Sequence, residues 1–109
     1  MFRLWNDNYK SFKLIKNRMR PVHPGEILWV DYLVPLQMSA NTLSKALHVT
    51  PALVNDIVRG SRGITPNTAL RLARYFGGDA QSWLNLQQSY DLKIVEMRQR
   101  TLFGRKLPS

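Results

Sequence analysis

Residues Ser39–Arg59 encode two short helices in close succession, and this pattern constrains the fold more than any other part of the sequence. Ser39 and Thr50 each stand directly before an apolar-periodic segment, as helix N-caps do. Pro51 suits the first turn of the second helix, and Gly60 predicts its end. Because the connecting segment is so short, the two helices must pack across each other as a helix-turn-helix.

Apolar residues at helical offsets predict how this pair packs. The predicted inward-facing residues are Leu43, Leu47, Val49, Val54 and Ile57. Ser44 is small where the two helices cross most closely. His48 occupies a turn position that often holds glycine, since a left-handed φ is costly for most side chains but is less rare for His. We therefore interpret His48 as a structural residue and not as a catalytic base.

The outward stripe of the second helix is small or polar, as a surface that enters the major groove of DNA should be. Helical spacing places Ala52, Asn55, Asp56 and Arg59 on this stripe. A generic helical hairpin could produce part of this pattern by chance, whereas the combination of offsets, caps and a small crossing residue favours a helix-turn-helix. The sequence therefore predicts a DNA-binding helix pair.

The helical pattern extends along most of the chain and predicts an all-α fold of five helices. The predicted helices are Gly25–Leu33 (ended by Pro35), Ala40–Leu47, Pro51–Arg59, a fourth between Thr65 and Gly77–Gly78, and a fifth from Ala80 to about Arg98 with Asp79 as its cap. The predicted apolar face of the fourth helix comprises Leu70, Ala73 and Phe76, with Leu72 alongside. Arg71 and Arg74, on its outer face, are interpreted as solvated charges.

The fifth helix carries more apolar surface than one small core requires. Trp83 and Leu86 are predicted to complete the core, while Tyr90, Ile94 and Met97 are candidates for a dimer interface. The alternative is that all of these side chains pack on their own domain.

The net charge of +9 suggests a polyanionic partner, but it is unevenly distributed. Residues 1–20 hold six basic residues and one acid, residues 21–100 hold eight and six, and residues 101–109 hold two basic residues. We therefore expect a basic N-terminal arm (1–20), a helix-turn-helix domain (21–100) and a basic C-terminal tail (101–109). The two ends are either solvated charge or arms that contact phosphates.

Several function classes find no support in the sequence. There is no cysteine for disulfides or thiolate metal sites, and no apolar run approaches the ~20 residues that span a bilayer. The N-terminus lacks the pattern of a signal peptide, so we expect a cytoplasmic protein with no membrane partner. No third metal ligand and no paired nucleophile stands near His23 or His48 in the sequence. We expect no enzymatic activity, no metal and no cofactor.

Four segments together resemble the HigA family of antitoxins, a branch of the XRE/Cro–CI-like proteins that is also labelled virulence-associated protein I. They are HPGEIL (His23–Leu28), the helix-turn-helix, VTPALV (Val49–Val54) and SWLNLQQSYDL (Ser82–Leu92). The resemblance covers about residues 20–98. It implies a lambda-repressor-like five-helix fold, a homodimer, repression of its own operon, and neutralisation of a HigB-type toxin that cuts mRNA at the ribosome. The family also includes orphan regulators, and a protein-interaction module that has lost DNA binding is a further alternative.

The resemblance also implies which side chains meet DNA. The candidates for base readout are Thr50, Ala52, Leu53, Asn55, Asp56 and Arg59. Asp56 either accepts from cytosine N4 or pairs with Arg59 or Arg62, and Leu53 either contacts a base or packs half-buried. The candidates for phosphate contacts are Ser39, Asn41, Thr42, Lys45, Ser61, Arg62 and Thr65. Two recognition helices of a dimer would lie about 34 Å apart on a palindromic operator.

Overall fold

The computed structural model describes residues 20–103, with side chains up to residue 100. The N-terminal arm before Arg20 and the last six residues of the C-terminal tail lie outside the described residues. The described part of the chain is all-helical, which confirms the predicted fold class. The helices are α1 (the consecutive segments Pro24–Ile27, Leu28–Leu33 and Val34–Leu36), α2 (Ala40–Leu47), α3 (Pro51–Val58), α4 (Pro66–Phe76) and α5 (Ala80–Phe103).

Short polar side chains begin four of these helices, as predicted. An N-cap oxygen stabilises a helix because it accepts from an N–H group that has no partner within the helix. Ser39, Thr50, Thr65 and Asp79 each accept from the backbone N–H three residues on, at 3.0, 3.2, 3.4 and 3.0 Å respectively. Pro51 and Pro66 follow two of these caps, where a missing N–H costs nothing.

The prediction that Pro35 ends the first helix is wrong, because α1 continues to Leu36. The segment Leu28–Leu33 is π-helical, and the N–H of Val34 donates to the carbonyl of Trp29, five residues back. In a regular α-helix, the ring of Pro35 would clash with the carbonyl four residues back. The wider π-helical segment before it relieves that clash. The helix ends at Leu36, and its C-cap Gln37 has a left-handed φ of 54°.

One apolar core joins all five helices. Its buried members are Leu28, Leu33, Leu43, Leu47, Val54, Ile57, Ile64, Ala69, Leu72 and Trp83. The predicted interior of the helix-turn-helix is thus confirmed, with Val49 partly buried against it. Trp83 of α5 is 5% exposed and completes the core as predicted, with Leu86 partly buried beside it. No helix in the described part of the chain is both long enough and apolar enough to cross a membrane.

The predicted apolar face of α4 is displaced. Leu70 is 52% exposed, whereas Thr68, Ala69 and Leu72 are buried. Successive helical residues are about 100° apart, so Leu70 and Leu72 cannot share a face, and Leu72 is the one that meets the core. Thr68 belongs to the buried stripe although it is polar, which is why an apolar count missed that stripe.

Candidate nucleic-acid interface

The turn between α2 and α3 has the backbone conformation expected of a helix-turn-helix. His48 adopts φ 59° and ψ 46°, which confirms its predicted left-handed conformation. Its N–H donates to Lys45 O at 3.2 Å, and the N–H of Val49 donates to Ser44 O at 3.0 Å. These bonds satisfy carbonyls at the end of α2, so the chain reverses within a few residues.

Ser44 lies where α2 and α3 cross, and it is fully buried. Its hydroxyl donates to the Asn41 carbonyl at 2.7 Å, so the polar atom does not remain unpaired in the core. A larger side chain would separate the helices. The small residue therefore sets how closely α3 is held against the domain.

The outward side of α3 carries most of the candidates for base readout. Thr50, Ala52 and Arg59 are exposed, and Asn55 and Asp56 are half-buried. Leu53 differs from them, because it packs against the core and leaves only part of its side chain accessible. The Asn55 amide donates to the carbonyl of Pro51 at 2.9 Å, one turn back along α3.

Asp56 is paired with both arginines that the sequence suggested as alternatives to a base. Its Oδ1 lies 2.8 Å from Arg59 Nη2, and its Oδ2 lies 3.4 Å from Arg62 Nη2. The hydrogen bond from Arg59 is the largest cause of a lowered Asp56 pKa, and Arg62 contributes in the same direction. The carboxylate is therefore held in its charged form on the face that carries the other candidates.

The candidates for phosphate contact are all exposed, and they flank α3 in the chain. They occupy α2 and its cap, the loop after α3 and the cap of α4: Ser39, Asn41, Thr42, Lys45, Ser61, Arg62 and Thr65. Ser39 and Thr65 are already engaged as N-caps, and the Ser61 hydroxyl donates to the Asp56 carbonyl at 3.2 Å. Lys45 and Arg62 are the two of this set that carry positive charge.

Sequence reasoning missed Arg71 as a support for this surface. The interpretation as solvated charge is right for the exposed Arg74 but wrong for Arg71, which is half-buried. Arg71 Nη1 donates to Leu47 O at 2.7 Å, and its Nε donates to Asn67 Oδ1 at 2.6 Å. The carbonyls at a helix C-terminus lack partners and attract positive charge, so α4 fixes the end of α2 through this side chain.

Gln87 of α5 is a second support that sequence reasoning missed. Its Oε1 accepts from the N–H of Ile64 at 2.8 Å, and its Nε2 donates to Asp91 at 2.9 Å. A Cβ at Gly63 would approach the Gln87 amide to 3.1 Å, so the loop and this side chain fit closely. The WLNLQ segment contains this glutamine, but spacing alone does not reveal its partner.

The HPGE segment begins α1 and lies close to α3, since a Cβ on its Gly25 would be 1.7 Å from the Ile57 carbonyl oxygen. His23 Nδ1 accepts from the N–H of Gly25 at 2.8 Å and caps α1, which supports its interpretation as structural. Glu26 pairs with Arg20 at 2.9 Å. Burial lowers the His23 pKa, against smaller opposing effects from Asp91 and the backbone of Arg62.

The candidates for a dimer interface on α5 divide into two kinds. The Tyr90 ring contacts the His23 ring edge-on at a centroid distance of 4.9 Å, so it packs at least partly on its own domain. Ile94 is half-buried, and Met97 is 45% exposed. Leu92 and Val95 on the same half of α5 are also exposed.

Within residues 20–103, no cluster of His, Asp and Glu side chains is suited to hold a metal ion.

The two crossed helices, the capped turn and the exposed recognition face define a helix-turn-helix domain of the DNA-binding type. The family model described as helix-turn-helix matches residues 31–83. Virulence-associated protein I of Dichelobacter nodosus is 60% identical over 87 residues, which are 80% of this chain and 81% of the relative.

Two solved structures agree with this assignment. The Pseudomonas aeruginosa antitoxin HigA with the higBA promoter matches with a TM-score of 0.74 and 42% identity, over 82% of this chain and 97% of that one. An addiction module antidote protein of a HigA family from Coxiella burnetii matches with a TM-score of 0.73 and 41% identity, over 83% and 98%. The chain belongs to the HigA family of helix-turn-helix proteins, which confirms the resemblance drawn from its sequence.

Proposed function

We propose that this protein is a sequence-specific DNA-binding repressor of its own operon and the antitoxin of a HigB-type toxin, a ribosome-dependent mRNA endonuclease. The observation that carries the proposal is the exposed, small and polar outer face of α3 in a chain 42% identical to an antitoxin HigA seen with its promoter. The toxin partner follows from the family, and the DNA partner follows from the family and from the geometry of α3.

Base readout is assigned to the exposed end and outer stripe of α3. The Asn55 amide exchanges its bond to the Pro51 carbonyl for a bidentate pair with adenine, and Ala52 contacts a thymine methyl group. Thr50 and Arg59 contribute at the two ends of the helix, and Leu53 contributes least because it packs against the core. Each good bidentate pair contributes about 1–3 kcal/mol of discrimination against the wrong base.

Affinity that does not depend on sequence comes from the phosphate contacts on either side of α3. Lys45 and Arg62 supply charge, and the hydroxyl and amide groups beside them supply hydrogen bonds. Since residues 21–100 carry only two more basic than acidic residues, we assign further phosphate contacts to segments 1–20 and 101–109. Deletion of residues 1–18 should preserve the fold, weaken DNA binding most at low salt and make its salt dependence shallower.

Titration of the protein against its own promoter tests DNA binding and readout together. The wild type should prefer a short inverted repeat to a scrambled duplex, with strong salt dependence. Asn55→Ala should reduce that preference by about five- to a hundredfold. Asn85→Ala, at an exposed position on α5, is the matched control and should retain it. An Asn55→Ala variant that discriminates as well as the wild type would contradict the readout assignment.

A homodimer would place two recognition helices about 34 Å apart, one turn of B-DNA. We assign its interface to the C-terminal half of α5, where Ile94 and Met97 leave apolar surface accessible. Met97→Glu should shift the protein from dimer to monomer at micromolar concentration in light scattering. Leu70→Glu, at an exposed apolar position on α4, should leave the dimer intact. A wild-type monomer under the same conditions would exclude this interface.

The toxin partner is tested by co-expression. A small reading frame next to this gene should arrest growth when expressed alone, and co-expression of this protein should relieve the arrest. Absence of such a frame, together with intact operator binding, would identify an orphan regulator of the same family. Rescue without any operator binding would instead identify a module that only sequesters a partner.

A further inference from the structure

Asp56, on the proposed DNA-binding face, forms ion pairs with the two neighbouring arginines. The two oxygens of Asp56 are paired with Arg59 at 2.8 Å and Arg62 at 3.4 Å. The Asp56 side chain is 27% exposed, whereas those of Arg59 and Arg62 are 71% and 51% exposed. The two guanidinium groups thus remain open to solvent on one side while they bind the carboxylate on the other. We call these three residues the Asp56 cluster.

Hydrogen bonds to the Asp56 backbone hold the loop after α3 in a fixed position relative to this residue. The carbonyl of Asp56 accepts from the N–H of Ser61 at 2.9 Å and from its hydroxyl at 3.2 Å. Ser61 directly precedes Arg62, so the loop that carries the second arginine is tied to the residue that carries the acid. Because α3 and this loop are fixed to each other, the long arginine side chains are the parts of the Asp56 cluster that can move.

The Asp56 cluster attracts DNA of any sequence less strongly than two free arginines would. It has a net charge of +1 where two free arginines would have +2, and the carboxylate competes with phosphates for both guanidinium groups. In the major groove, the cytosine N4 amino group is the donor that pairs well with a carboxylate. The loss of DNA affinity therefore applies to every sequence, whereas the contact that offsets it depends on the base that faces Asp56.

We propose that Asp56 is a specificity-determining residue of the DNA-binding function: it retains Arg59 and Arg62 on non-operator DNA and releases them to contact the DNA where a cytosine N4 amino group replaces them at the carboxylate. This inference rests on the proposed function. It assigns a role to Asp56, although a negative charge is unfavourable for phosphate binding. Asp56 contributes to specificity because it weakens complexes with non-operator DNA more than the complex with the operator.

The test compares full-length wild type and Asp56→Asn on an operator duplex and a scrambled duplex of equal composition, by fluorescence anisotropy across a range of salt. Asp56→Asn should bind the scrambled duplex about three- to tenfold more tightly, with a salt slope steeper by about one to two. Operator affinity should gain less or fall, so that the ratio of the two affinities decreases.

Asp79→Asn is the matched control, because it makes the same change in charge at the cap of α5 and asparagine also serves as an N-cap. Its affinity ratio should equal that of the wild type. If Asp56→Asn also keeps the wild-type ratio, the inference is wrong, although the proposed function stands. If the wild type itself does not discriminate between the duplexes, the proposed function fails.

A second variant decides the matter even where Asp56→Asn folds poorly. With Asp56 intact, Arg62→Gln should weaken operator binding but change scrambled-duplex binding less than about twofold, since Arg62 is retained by the carboxylate there. In the Asp56→Asn background, the same change should weaken binding to both duplexes. Equal losses on both duplexes with Asp56 intact would overturn the inference.

Discussion

Arg71 Nη1 lies 2.7 Å from the carbonyl oxygen of Leu47, so that a side chain of α4 donates a hydrogen bond to the last carbonyl of α2. The two residues are 24 positions apart in the chain. This contact holds the first helix of the helix-turn-helix at its C-terminal end, next to the His48 turn. It joins the segment that positions α3 to a helix that carries none of the candidates for base readout.

Arg71→Met should therefore destabilise the domain, because it keeps most of the apolar stem but leaves the Leu47 carbonyl without its donor. We expect a loss of about 1–3 kcal/mol in the free energy of unfolding, measured by urea denaturation. Arg74→Met removes the same charge from an exposed position on the same helix and should change stability by less than about 0.5 kcal/mol. Equal effects of the two changes would show that the Arg71 contact contributes nothing.

Gly25 contacts the recognition helix so closely that no side chain fits. A Cβ at this position would lie 1.7 Å from Ile57 O and 2.6 Å from Ile57 C, and both are backbone atoms. Gly25→Ala must push α1 away from α3 and should cost about 2–3 kcal/mol of stability, with a matching drop in thermal midpoint.

Gly60→Ala serves as the comparison for that prediction. Gly60 has φ 81°, but the atoms nearest to its would-be Cβ are no closer than 3.7 Å. The substitution should therefore cost only the conformational penalty, about 1 kcal/mol. A Gly25→Ala variant no less stable than Gly60→Ala would show that α1 can shift without loss.

Local features of this domain were predictable, whereas contacts between distant segments were not. The caps at Ser39, Thr50, Thr65 and Asp79 were identified because a cap and its partner lie three residues apart. The left-handed conformation of His48 followed from its place between two such segments. The contacts from Arg71 to Leu47 and from Gln87 to Ile64 join residues 24 and 23 positions apart, and no spacing rule connects them.

Two errors in the predicted helices have different origins. Pro35 was expected to end α1 because the rule for proline assumes a regular α-helix, and the π-helical segment before it removes that assumption. Leu70 was assigned to the core on hydrophobicity alone, whereas the buried stripe of α4 includes the polar Thr68. The outer face of α3 was identified correctly, but the sequence left open whether Asp56 contacts a base or pairs with an arginine, and the structure was needed to show its pairing with both Arg59 and Arg62.

Gln87 should hold the loop that follows the recognition helix. Gln87→Met preserves side-chain length but removes the acceptor for the Ile64 N–H, and Gln88→Met makes the same change at an exposed neighbour. Hydrogen exchange at the Ile64 amide should accelerate about fivefold or more in Gln87→Met, corresponding to the loss of about 1 kcal/mol. Protection of Ile64 that is the same in both variants would show that the loop is fixed by other contacts.

His23 should make the stability of the domain depend on pH. Its neutral Nδ1 accepts from the Gly25 N–H, and burial lowers its pKa below the ordinary value of 6.5. The folded state therefore binds the proton less readily than the unfolded chain does, and stability rises with pH through this region. The stabilising contribution is fully present above pH 6.5 and is lost as the pH falls through the lower pKa of the folded state.

Urea unfolding between about pH 8 and about pH 5 measures this dependence. His23→Asn retains an acceptor for the cap but cannot titrate, so its free energy of unfolding should decline less over the range than that of the wild type. The variant should also be less stable at the upper end, since it loses the ring contact with Tyr90. If both proteins lose the same free energy as the pH falls, the dependence arises elsewhere in the chain and His23 is not its source.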